Sequence, residues 1–145
     1  MISAITGGCL CGKVRFAYAG ILGTAAYCHC SDCRRCTGSA FNVSVAMEIT
    51  RFTIVGALKG FTKKGESGTE LTRHFCPDCG SPLYTSSPRH PELIYVKGGA
   101  LDDPTLLQPA HQSWTRSAVP WAAIKPGLRS FDTGRIEDPH SEAEF

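Results

Sequence analysis

The chain has 145 residues, of which 42% are hydrophobic and 19% charged, with a formal net charge of +2. That length suits one domain, that composition excludes a disordered chain, and the small charge gives no electrostatic case for nucleic acid. No run approaches the roughly 18 apolar residues of a membrane helix, and the start from Met1 to Gly8 lacks the features of a signal peptide, so a cytoplasmic protein with few disulfides is expected.

In chain order, Lys13 to Tyr18 alternates polar and apolar residues, the pattern of a half-buried strand. Ser31 to Thr37 predicts a short helix, with Ser31 or Asp32 as its N-cap. Ala40 to Val45 alternates again, and Arg51 to Val55 follows as a strand. Gly56, Gly60, Gly65 and Gly68 are expected to break the middle of the chain into hairpins. Leu71 to Phe75 and Leu93 to Val96 read as further strands, and Asp102-Asp103-Pro104 as a turn with one short helical turn. From Asp132 to the end, five acids (Asp132, Glu137, Asp138, Glu142, Glu144) stand against Arg135, without apolar periodicity. The expectation is therefore a mainly β domain over 1–131, twisted and mostly antiparallel, followed by a loose acidic tail over 132–145.

The eight cysteines fall into three tight groups: Cys9-Leu10-Cys11-Gly12, Cys28-His29-Cys30-Ser31-Asp32-Cys33-Arg34-Arg35-Cys36, and Cys76-Pro77-Asp78-Cys79-Gly80. A C-x-x-C-G turn lets two thiolates converge on one ion, with glycine supporting the tight backbone. Cys9 and Cys11 flank one residue, so an extended backbone puts both sulfurs on one face. Cys9, Cys11, Cys76 and Cys79 thus make a natural four-thiolate zinc site that clips the N-terminal region to the second half of the domain. Disulfides are the competing reading of eight cysteines. The i, i+2 spacings make poor bridging loops, and iron is the main competitor of zinc as metal. Two zinc ions bound by seven thiolates would remove three charges and take the net charge from +2 to −1.

Cys28, Cys30 and Cys33 can hold the second zinc with three thiolates, leaving the open fourth position that separates catalytic from structural zinc. Cys36 lies three residues beyond Cys33, on the same face of a helix. It either closes that site or serves as a nearby thiol that oxidises or exchanges. Arg34 and Arg35 are candidates to hold a substrate carboxylate, with Lys63, Lys64, Arg73 and Arg89 as further cations. His29, between two ligands, either moves a proton or packs. His111, Trp114 and Trp121 either line a pocket or pack, and packing is the reading preferred for the tryptophans.

These motifs resemble the glutathione-dependent formaldehyde-activating family, which includes centromere protein V-like proteins. The resemblance runs through Gly8-Cys9-Leu10-Cys11-Gly12-Lys13-Val14-Arg15, Cys28-His29-Cys30-Ser31-Asp32-Cys33-Arg34-Arg35, Gly38-Ser39-Ala40-Phe41, Arg73-His74-Phe75-Cys76-Pro77-Asp78-Cys79-Gly80-Ser81-Pro82-Leu83-Tyr84 and Gly98-Gly99-Ala100-Leu101-Asp102-Asp103-Pro104. It covers Ile5 to Phe131. The resemblance implies a β-tent-like fold with two zinc ions, a structural site at Cys9, Cys11, Cys76 and Cys79, and an activity-linked site at Cys28, Cys30 and Cys33. It also implies carbon–sulfur lyase chemistry, the joining of glutathione and formaldehyde as S-hydroxymethylglutathione. Cys36 departs from the core seven-cysteine pattern.

Two rival readings stand beside this one. A zinc-ribbon-like module for a protein or nucleic acid also uses C-x-x-C-G knuckles, but the chain has no basic stripe interleaved with exposed aromatics. A methionine sulfoxide reductase-like enzyme needs a nucleophilic cysteine in the C-terminal half, and no cysteine follows Cys79.

Overall fold

A computed structural model describes residues 4–134. Eleven short strands and one α-helix are arranged in two sheets. β1 (Ile5–Gly8), β2 (Arg15–Tyr18) and β5 (Phe52–Val55) form a small antiparallel sheet in the order β1-β2-β5. The remaining strands are β3 (Ala25–Cys28), β4 (Asn42–Glu48), β6 (Lys59–Lys64), β7 (Glu70–Phe75), β8 (Pro82–Ser86), β9 (Leu93–Lys97), β10 (His111–Ser113) and β11 (Arg129–Ser130). They form an eight-stranded sheet in the order β11-β10-β3-β4-β9-β8-β7-β6. The mainly β architecture with little helix is as expected, and no described helix is long and apolar enough to cross a membrane.

Pairing from β3 through to β6 is antiparallel, but β10 runs parallel to both β3 and β11. Register matters at β3: Cys28 stands opposite Ser113 of β10, and the His29 amide donates to the Ser113 carbonyl at 3.0 Å. A strand distant in sequence therefore fixes the entry to the second cysteine group.

Alternation in β2 buries Phe16 and Tyr18 and leaves Arg15 exposed, as a half-covered strand requires. In β4 the same pattern does not mark a solvent face. Its polar members Asn42 and Ser44 are both buried, and the Asn42 side-chain amide donates to Ser44 Oγ at 2.7 Å. β4 lies inside the sheet, where buried polar groups must find partners. The apolar core joins Val14, Phe16, Tyr18, Val45, Met47, Leu83, Ile94 and Val96, with Cys9 and Cys76 at its edge. Phe16 stacks on Phe52 at 5.2 Å and so ties the small sheet together across β2 and β5.

Helix α1 spans Ser31–Thr37. Its N-cap is Cys30, whose sulfur accepts the Cys33 amide at 3.2 Å, instead of Ser31 or Asp32 as the oxygen-cap preference suggests. Gly38, at φ 66°, ends the helix in the left-handed region. Gly60 does not break the chain: it sits inside β6, which pairs with β7 from Lys59↔Phe75 to Lys64↔Glu70. The hairpin turn lies after it, where the Gly65 amide donates to the Thr69 carbonyl.

Gly56 has φ 103°, and a Cβ there would lie 2.3 Å from the Lys13 carbonyl oxygen. Backbone strain and a collision with main chain act together, so Gly56→Ala is expected to lower unfolding free energy by about 2 kcal/mol or more. Denaturant titration should show a lowered midpoint at unchanged slope.

Asp102 clips the end of the small sheet. It accepts both guanidinium nitrogens of Arg15 and the Thr6 hydroxyl, the last at 2.6 Å. The Arg15 and Thr6 donors hold its carboxyl at about 2, below the usual 3.8. A lowered folded-state value means that the contribution is complete above about pH 4 and is lost as pH falls towards 2. The stability difference between the wild-type chain and Asp102→Asn, followed by thermal melting, should therefore shrink across that window. A gap of constant size would contradict it.

Of the acidic tail expected from residue 132, only 132–134 are described, and 135–145 lie outside the described residues. The carbonyls of Asp132 and Thr133 accept the amides of Arg116 and Trp114.

Candidate metal centres and the adjoining cleft

Two turns bring the first group of sulfurs together. After β1, the Gly12 amide donates to the Cys9 carbonyl at 3.2 Å, with Gly12 at φ 81°. After β7, the Gly80 amide donates to the Cys76 carbonyl at 2.8 Å, with Gly80 at φ 78°. The β7–β8 register shifts between His74 and Phe75, a bulge that re-aims the chain just before Cys76. Lys13 and Asp78 join the two turns by an ion pair of 2.9 Å.

The four ligand atoms of Cys9, Cys11, Cys76 and Cys79 lie within 4.8 Å of one another. Cys9 and Cys11 sulfurs are 3.5 Å apart, and Cys11 and Cys76 sulfurs 3.8 Å. Four sulfurs ~2.3 Å from one tetrahedral zinc would be ~3.8 Å apart, whereas a disulfide needs ~2.0 Å. All eight cysteines are free. The donor set therefore fits a tetrahedral ion. Donors already point at these sulfurs: the Val14 amide reaches Cys9 at 3.3 Å, and Ser81 Oγ lies 3.2 Å from Cys79. The Ser81 hydroxyl and amide, with the Cys11 amide, pull the Cys79 thiol down to about 5.

The second group comes from the end of β3 and the start of α1. The sulfurs of Cys28, Cys30 and Cys33 also lie within 4.8 Å of one another. Cys28 and Cys33 are fully buried beneath Trp114, and Cys30 is partly exposed. Trp114 is held at φ 56°, the one described non-glycine residue in the left-handed region. Packing, the role preferred for it from sequence, is what it does here, while Trp121 is exposed. The thiols of Cys28 and Cys33, with the Cys33 amide and the charge of Arg73, pull Cys30 down to about 3. Contact with Cys30 in turn pushes Cys28 up to about 12, and contact with Cys28 pushes Cys33 up as well. A cation among the three sulfurs would allow all of them to ionise.

His29 lies buried between two of these cysteines. Its Nε2 donates to Gln112 Oε1 at 2.8 Å, and the Gln112 amide nitrogen donates to Ser130 at 2.7 Å. Its ring meets Phe41 edge-on at 5.6 Å. These contacts place His29 in the packing that joins β3 to β10.

A cleft of about 480 Å³ opens along α1, lined by Asp32, Arg35 and Cys36 of the helix but by none of the three sulfurs. Arg35, Lys63, Arg73 and Lys97 line it, against the single acid Asp32, which pairs with Lys63 at 2.7 Å. Among the described residues, three positive charges remain uncompensated on its walls. Phe61, Phe75 and Pro82 supply apolar surface. Of the cations proposed from sequence, Arg35, Lys63 and Arg73 reach the cleft, whereas Arg34, Lys64 and Arg89 are not among its walls. Lys97 was missed. It ends the apolar run of β9, is 7% exposed, and donates to Asn42 Oδ1 at 2.5 Å. Burial lowers its pKa against the opposing pull of Cys33 and Cys36. The available signal was a lysine placed where an apolar strand meets Gly98-Gly99. Cys36 is exposed and lines the cleft, and it is not part of the three-sulfur group. A recess of about 20 Å³ adjoins Cys30, bounded by Asp32, Glu66 and Trp114.

The fold and its two sulfur groups define a mainly β domain able to hold two metal ions. A family model described as glutathione-dependent formaldehyde-activating enzyme matches residues 4–117, and the chain belongs to that family. Over 112 residues it is 30% identical to a Halomonas elongata protein named "Putative glutathione-dependent formaldehyde-activating enzyme", covering 68% of this chain. The match spans 66% of that relative, just under two thirds of its length. A Rhodobacter sphaeroides protein of known crystal structure shares the fold, with a TM-score of 0.55 at 20% identity, over 87% of this chain and 98% of that one.

Proposed function

We propose that the chain is a zinc-dependent enzyme of the carbon–sulfur lyase type. It makes and breaks the adduct of an acidic thiol with a small aldehyde, and glutathione with formaldehyde is the pair named by its family. The reaction forms a carbon–sulfur bond, and the proton of the thiol ends on the former carbonyl oxygen. The observation that carries this reading is a three-sulfur group with a partly exposed Cys30, whose small recess shares Asp32 with a cleft that holds three cations uncompensated among the described residues.

Cys28, Cys30 and Cys33 hold the reactive zinc in this account, and Cys9, Cys11, Cys76 and Cys79 hold a structural one. Zinc held at Cys28, Cys30 and Cys33 would supply the Lewis acidity that lowers the pKa of an incoming thiol. Arg73 and Lys97, both buried on the cleft wall, attract the carboxylates of the thiol more strongly than surface cations would. Arg35 adds a further charge at the mouth. The recess at Cys30 has room for roughly one water-sized group, which suits a one-carbon aldehyde. Free sulfurs throughout suit a reducing compartment, and we place the protein in the cytoplasm.

The test is to load the chain with zinc and follow adduct formation by magnetisation exchange across a panel of thiols and aldehydes. Acceleration proportional to protein, greater for glutathione than for a neutral thiol of equal basicity, is expected. Two bound ions without acceleration for any pair would overturn the enzyme in favour of a zinc-ribbon-like module.

A further inference from the structure

Cys36 stands apart from both sulfur groups, yet it is not an isolated surface thiol. It lies one turn beyond Cys33 on α1 and shares the cleft with Arg35, Arg73 and Lys97. Arg73 is 8% exposed, and its guanidinium has neither a carboxylate nor a hydrogen-bond partner among the described residues. A nearly buried, unpaired guanidinium is costly, and an anion seated in the cleft would relieve that cost. Lys97, 7% exposed, has the neutral Asn42 oxygen as its one hydrogen-bond partner among the described residues. An accessible thiol therefore borders a cavity whose buried cations lack an anion among the described residues.

We propose that Cys36 is a modification site that forms a reversible mixed disulfide with acidic disulfides such as glutathione disulfide. Cys36 gives its proton to solvent, and its sulfur attacks one sulfur of the disulfide. That sulfur–sulfur bond breaks, a new one forms to Cys36, and the departing thiolate takes up a proton. Cys36 is oxidised and the departing half is reduced. A free glutathione thiolate reverses the step by attacking the mixed disulfide. The retained half seats its carboxylates on Arg73 and Lys97 and fills the cleft. The inference shares with the proposed function the reading of the cleft as a site for acidic thiols, and it does not require turnover.

The metal-loaded chain should be exposed to glutathione disulfide, to the neutral bis(2-hydroxyethyl) disulfide and to the dicationic cystamine. Intact mass and peptide mapping read the adducts, with an unstructured cysteine peptide as the reference thiol. Glutathione disulfide should give one adduct, on Cys36, and none on Cys36→Ser. Relative to the peptide, its rate should exceed that of cystamine by about tenfold or more. High salt and Arg73→Met should each reduce that preference several-fold. Equal relative rates for the three disulfides, no adduct, or an adduct on any of the other seven cysteines would overturn the proposal. If Arg73→Met does not fold, the charge series on the wild-type chain decides alone. A chain that forms the adduct but catalyses nothing would leave this site standing and remove the proposed function.

Discussion

Replacing Cys76 by alanine is expected to halve the zinc content and to lower the melting temperature by about 10 °C or more. Cys76 is fully buried, sits at the edge of the main core, and comes to within 3.8 Å of Cys11 from the other half of the chain. The four-sulfur group fastens the turn after β1 to the turn after β7, so binding an ion there favours the folded chain directly. Bound metal contributes on the order of 10 kcal/mol in small zinc domains. Here an independent apolar core carries part of the load, and a loss of about 4 kcal/mol is a conservative expectation, equivalent to the stated shift for a chain of this size. Such a loss is a large fraction of the ~5–15 kcal/mol that separates folded from unfolded domains. Alanine fills less of the site than cysteine but adds no polar group to it. Calorimetry with metal analysis checks the prediction, and an unchanged melting point with two ions retained would refute it.

Cys30→Ser is expected to behave in the opposite way, losing function and keeping the fold. The Cys30 sulfur caps α1 by accepting the Cys33 amide at 3.2 Å, and a serine oxygen is a good acceptor in that position. The helix should therefore persist, and the main core, which does not include Cys30, should be untouched. Oxygen is a poor substitute for thiolate at zinc, so thiol-dependent adduct formation should fall by about a hundredfold or more. Melting should stay within a few degrees of the wild-type chain. Rates within twofold of wild type would remove Cys28, Cys30 and Cys33 from the chemistry.

The parts of this protein that local chemistry dictates were legible in the sequence. Cysteine spacing groups Cys9 and Cys11 with Cys76 and Cys79, and Cys28 with Cys30 and Cys33, and the structure brings both sets together. Helix Ser31–Thr37 and strands β2, β4, β5, β7 and β9 follow patterns visible within a few residues. Strands that depend on distant partners were not visible. β3 is Ala25-Ala26-Tyr27-Cys28 and β10 is His111-Gln112-Ser113, neither with strong strand preference, and they are held by distant partners, β3 between β4 and β10 and β10 between β3 and β11. β8 begins with Pro82 and pairs across a bulge. Gly60 is held in β6 by β7 and not by its own tendency.

The cleft shows the same division. A sequence can nominate basic residues, but it cannot say that Arg35 reaches the cleft while its neighbour Arg34 does not. Lys97 follows the strand expected over Leu93 to Val96 and carries no local sign of burial. Burial against Asn42, itself a polar residue turned inward from β4, is a property of the assembled sheet. The place of Cys36 likewise follows from the path of α1. Spacing alone left it as either ligand or neighbour, and the helix carries it to the cleft wall.

Zinc K-edge absorption spectra of the purified chain, recorded with and without glutathione, test the central claim most directly. Four protein sulfurs at one ion and three at the other predict an average of about three and a half sulfurs per zinc, rising to about four when glutathione is added. Four sulfurs per zinc beforehand and no change on addition would mean that both centres are closed and that no thiol is activated at Cys28, Cys30 and Cys33.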